Sequence, residues 1–105
     1  MRVKVMGVVY EVEEVGCVSR DGFLFGEVDH VAQKIRIDSS LRPDKRAETC
    51  LHEVLHCILQ QLGDHEAHND ESFVTRIASA LAQVLMDNSE LLALFGFCLR
   101  EGTSG

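Results

Sequence analysis

The stretch between Pro43 and Gly63 constrains this chain most. Leu51, Leu55, Ile58, Leu59 and Leu62 recur there at the spacing of one helical face. Proline suits the first helical position and glycine the residue just past the end, so the two mark the helix bounds. Within this helix runs His52-Glu53-Val54-Leu55-His56, an HExxH sequence. About one turn separates the two histidines, so both imidazoles project from the same side and can reach a single ion. Glu53 is rotated from that line by roughly 100°, which makes it a poor third ligand but leaves it able to touch a metal-bound water. Neutral imidazole suits zinc, and a carboxylate beside zinc-bound water can take its proton and later deliver it to a leaving group.

The residues before this helix read as strand. Val3, Val5, Val8, Val9, Tyr10 and Val12 form a β-rich run broken by Gly7. Asp21-Gly22 signals a turn before Phe23-Leu24-Phe25, and Asp29-His30 signals a second. Ile35 and Ile37 then alternate with Lys34, Arg36 and Asp38, the pattern of a half-exposed strand. The economical reading is a three-stranded antiparallel meander with Lys34–Asp38 as a charge-protected edge. Such an edge can also bind an extended peptide by strand addition.

After Gly63, a polar loop from His65 to Asp70 leads to a second helix, capped by Asn69 or Asp70. Val74, Ile77, Ala78, Leu81, Val84 and Leu85 supply its apolar stripe, and Glu90 to Leu99 forms a short terminal helix. Strands followed by helices predict an α+β fold: a small antiparallel N-terminal sheet, then three helices, with HExxH on the first. The 105 residues fit one domain, with a flexible tail expected at 101–105.

Composition narrows the function. A formal charge of −7 repels phosphate backbones, so no nucleic-acid ligand is expected. The one dense basic patch, Arg42, Lys45 and Arg46, reads as a solvated helix start. No segment approaches the roughly 20 apolar residues that cross a bilayer, and the N-terminus alternates too regularly for a signal-peptide core. A cytoplasmic protein without membrane contact is expected. Cys17, Cys50, Cys57 and Cys98 are widely spaced without a CxxC pair and read as buried free thiols.

A catalytic zinc needs a third protein ligand and an open fourth position. Glu71, His65 and His68 are the candidates; Leu59 and Leu62 stand where a metzincin would have Gly and His. Glu71 sits at the start of a helix, which holds a carboxylate more rigidly than a loop holds a histidine. His65 or His68 can alternatively donate a hydrogen bond to an oxyanion. Arg76 can orient the Glu71 carboxylate or that of a substrate, or form a surface ion pair.

The runs Arg46-Ala47-Glu48-Thr49-Cys50-Leu51-His52-Glu53-Val54-Leu55-His56 and Asp70-Glu71-Ser72-Phe73-Val74-Thr75-Arg76-Ile77-Ala78 resemble small phage- and prophage-encoded zinc metallopeptidases near the ImmA/IrrE-like and SprT-like zincins. The resemblance spans roughly positions 27 to 88. It implies a minimal zincin-like domain binding Zn2+ through His52, His56 and Glu71, with Glu53 as general base and a peptide or protein as substrate. The alternative is a non-catalytic phage-type protein whose zinc site is structural or vestigial and whose surface binds a partner. Under either reading, the apolar run Leu91-Leu92-Ala93-Leu94-Phe95 is available for self-association or for simple core packing.

Overall fold

The computed structural model describes residues 1–16, 18 and 25–103. Two residues of positive φ, Met6 at 49° and Gly7 at 91°, fold the first β-rich run back on itself. They join strand β1 (Arg2–Val5) to β2 (Val8–Val15) as an antiparallel hairpin in which Val5 pairs with Val8 and Val3 with Tyr10. Positive φ at both central positions gives the turn the twist that the flanking strands need. Strand β3 (Gly26–Asp29) and β4 (Lys34–Asp38) form a second antiparallel pair. The Asp29 carboxylate closes their turn by accepting from the amides of Val31 and Ala32.

The sheet order is β1-β2-β4-β3, and β2 pairs with β4 in parallel. The expected all-antiparallel meander is therefore a four-stranded mixed sheet within the expected α+β class. Lys34–Asp38 is not an edge; it lies between β2 and β3, and the edges are β1 and β3. Its charges mark the solvent face of an inner strand. Lys34 and Arg36 pair there with Glu13 and Glu27, while Ile35 and Ile37 are buried beneath. Of the expected Phe23–Phe25 strand, Phe23 and Leu24 lie outside the described residues, as do the Asp21-Gly22 turn and Cys17.

Helix α1 (Pro43–Leu62) has Pro43 in its first turn and ends at Gly63, whose φ of 73° lets its amide reach the carbonyls of Leu59 and Gln60. Arg42, Lys45 and Arg46 pair with Asp44, Glu48 and Glu14, as a solvated helix start should. The most deeply buried residues of α1 are Thr49, Glu53, His56 and Cys57, whereas Leu62 is exposed. The leucine stripe thus flanks the buried face instead of forming it. The reason is the layering: α1 lies between the sheet on one side and α3 (Glu71–Asp87) on the other. Against the sheet, Cys57 joins Val5, Tyr10, Ile35 and Ile37 in the core, with Cys50, Val54 and Ile58 at its margin.

The polar loop after Gly63 contains a single helical turn, α2 (His65–His68), capped by the Asp64 side chain. Asp70 caps α3 by accepting from the Phe73 amide. Val74, Ala78 and Ala82 are the buried residues of α3. Among the described residues, helix α4 (Ser89–Thr103) packs on α3 alone and leaves Leu92, Leu94 and Phe95 exposed, so that apolar run is mostly surface. It runs through Thr103. No helix among the described residues is long and apolar enough to cross a membrane.

Candidate metal centre

One helical turn on α1 and one residue at the start of α3 make the site. The Gly63 reversal and α2 carry the chain back over α1, so that Glu71 opens α3 directly above the two histidines. Glu71 Oε2 lies 3.2 Å from His52 Nε2, and Glu71 Oε1 lies 2.5 Å from His56 Nε2. One donor atom from each of the three falls within 4.8 Å of the other two. A tetrahedral ion with ligand bonds near 2.1 Å separates its donors by roughly 3.4 Å, so small side-chain movements suffice to seat one. The histidine side chains are 18% and 9% exposed and the Glu71 side chain 68%, which leaves the cluster open on the carboxylate side. His52, His56 and Glu71 can therefore hold a metal ion, and they form the one such three-donor group among the described residues.

Burial pushes His56 below the ordinary imidazole range, toward the neutral form that a metal ligand requires, and the adjacent Glu71 carboxylate opposes that shift. Glu53, only 6% exposed, moves the other way. Desolvation, and then the nearby charges of Glu71 and Glu27, raise its carboxyl from the ordinary 4.5 to about 7. Its carboxylate faces a cleft of about 410 Å³ floored by α1, with Phe25 and Gly26 on one wall and Glu71, Thr75 and Ala78 on the other.

No family model matches the chain, and neither a curated protein nor a solved structure is significantly similar to it. The site's chemistry therefore rests on its own residues.

Of the residues singled out in the sequence, His52, Glu53, His56 and Glu71 come together, while His65 and His68 do not join the donor group. His65 is exposed on α2. His68 lies on the other side of the His56 ring from Glu71, its Nδ1 3.3 Å from His56 Nδ1 and 3.2 Å from the His56 carbonyl oxygen. Among the described residues, Arg76 makes neither the contact to Glu71 nor an ion pair; its Nε donates to the Ser72 carbonyl one turn back. Cys50 and Cys57 are free thiols outside the cluster, and burial pushes the Cys57 thiol up to about 11. The side chain of Cys98 lies outside the described residues.

Three residues gain significance only in three dimensions. Gly26 is the point where β3 passes Glu53; a Cβ there would lie 2.7 Å from Thr49 Cγ2 and 3.2 Å from Glu53 Oε2. His30, which the sequence places at a turn, packs its ring 5.4 Å from that of His68. Tyr10, 1% exposed, places its hydroxyl 3.4 Å from His30 Nδ1. A lone glycine opening a strand and contacts between residues so far apart in the chain leave no signal in local sequence.

Proposed function

We propose that this chain is a zinc-dependent peptidase of the zincin kind, with His52, His56 and Glu71 as ligands and Glu53 as the group that handles the proton. The convergence of the three donors beside a buried carboxylate carries this reading, with His52, Glu53 and Glu71 lining one cleft. Two imidazoles and a carboxylate are a donor set suited to zinc, and a bound zinc ion supplies Lewis-acid polarisation and lowers the pKa of water.

The chain's own residues do the rest. Burial makes the Glu53 carboxylate basic enough to take a proton near neutral pH. It accepts the proton of the attacking water, holds it out of bulk solvent, and gives it to the leaving amine. Gly26, the first residue of the edge strand β3, lines one wall of the cleft, and the backbone there can pair with an extended peptide, the role first expected of Lys34–Asp38. Gly26 keeps that backbone close to the carboxylate. A closed structural site needs a fourth protein donor. Because His65 and His68 stand outside the donor group, the geometry favours the open, catalytic arrangement.

Metal content and turnover of the purified full-length chain test the proposal. About one zinc per chain is expected, lost in His52→Ala, with Glu53→Gln retaining zinc but no longer cleaving a mixed peptide library. A wild-type chain that takes up no zinc on incubation sinks the reading. Turnover that survives Glu53→Gln removes Glu53 from it.

A further inference from the structure

His56 presents its two ring nitrogens to two different partners. Nε2 meets the Glu71 carboxylate, and Nδ1 meets Nδ1 of His68 at 3.3 Å. Two lone pairs cannot face each other at that distance, nor can two N–H groups, so one proton lies between the Nδ1 atoms. We propose that His68 is the positioning residue that sets the tautomer of His56, switching between donor and acceptor as the Nε2 position of His56 is emptied or filled. The proposal rests on the reading of His56 as a metal ligand.

With Nε2 carrying the proton, His56 donates to Glu71, and its bare Nδ1 accepts from His68 Nδ1–H. The His56 carbonyl oxygen, 3.2 Å from the same His68 nitrogen, shares that donor. With Nε2 committed to a cation, the His56 proton must sit on Nδ1 and needs an acceptor. His68 provides one by moving its own proton to Nε2, because neutral imidazole always holds one donor and one acceptor. Carboxylates and backbone carbonyls that commonly orient a metal-bound histidine can only accept. A histidine in that place meets His56 Nδ1 in both states; in the second, the His56 carbonyl oxygen no longer shares a donor with it.

The surroundings hold the His68 ring in position. It packs edge-on to the His56 ring at 4.9 Å between centroids, and on its other neighbour, His30, at 5.4 Å. His30 is in turn held by the hydroxyl of the buried Tyr10. Strand β2, the β3–β4 turn and α2 therefore all contribute to the orientation of one ligand on α1.

The experiment compares the full-length wild type, His68→Leu and His68→Asn by isotope-edited NMR of the histidine rings and by competitive zinc titration. In the metal-free wild type, a nitrogen–nitrogen scalar coupling between His56 Nδ1 and His68 Nδ1 is expected. On zinc loading, His56 should become the Nδ1–H form and His68 the Nε2–H form. His68→Leu keeps the packing volume but removes both donor and acceptor, so zinc affinity should fall by about 10- to 100-fold. Asparagine places an amide group near the Nδ1 position and should restore affinity to within about threefold of wild type. Absence of the coupling in the metal-free protein overturns the proposal, as does a His68 tautomer that does not change on loading. Undiminished zinc affinity in His68→Leu overturns it as well. A wild type that shows the coupling but binds no zinc refutes the metal reading and supports the pairing of the two rings.

Discussion

The backbone of Gly26 passes so close to the carboxylate of Glu53 that a methyl group on it would lie 3.2 Å from Oε2. The same methyl would meet Thr49 Cγ2 at 2.7 Å, closer than carbon atoms tolerate, so one element must move. Gly26→Ala is expected to destabilise the fold by about 1–3 kcal/mol and to reduce turnover. Thr49→Ser deletes the offending Cγ2, so the double variant should recover part of the loss. Denaturant melts of the two single variants and the double form a cycle in which additive effects would refute the contact.

Burial of Glu53 has a consequence for stability in the chelated protein. Its folded pKa, about 7, lies above the ordinary 4.5, so the folded state binds the proton more tightly than the unfolded chain does. The resulting stabilisation is complete below pH 4.5 and disappears as pH rises through 7, an effect on the order of 3 kcal/mol. Glu53→Gln cannot ionise and should lose less stability than wild type between pH 5.5 and 8.5, roughly the span over which the acid titrates. Urea titrations at the two pH values check this; parallel losses in both proteins would show that Glu53 is not the group responsible.

Glu71 and His65 are separable by zinc affinity. Glu71→Ala removes the single donor contributed by α3 and should weaken zinc binding at least about 100-fold. His65→Ala, at an exposed position outside the cluster, should change it by less than about twofold. Equal losses in the two variants would contradict the ligand assignment.

The hairpin turn offers a prediction independent of the site. Met6 is exposed and adopts a φ of 49°, a conformation that asparagine accepts more readily than methionine. Met6→Asn should raise stability by about 0.5–1 kcal/mol without altering zinc content. A thermal melt that moves down instead would argue against positive φ at this position.

What sequence reveals here follows the range of the interactions. His52 and His56 share a face because of helix geometry alone, and Asp70 caps α3 through a contact with a residue three positions away. The choice among Glu71, His65 and His68 depends on how α3 crosses α1, which the Gly63 reversal and the single turn of α2 decide jointly. The parallel pairing of β2 with β4 is likewise non-local, and the charges of Lys34 and Arg36 fit an edge strand and the open face of an inner strand equally well. Glu53 belongs to both categories: its place in the motif is plain, whereas its elevated pKa comes from burial between layers that the motif does not encode.

The layering of the helices has an evolutionary consequence. Because α3 meets the sheet only through α1, His56 and the buried Glu53 carboxylate sit in the layer shared by both halves. The cleft's rim is built differently: Phe25, Lys45 and Thr75 come from separate elements. Rim positions can therefore change one at a time while the buried residues beneath them stay as they are.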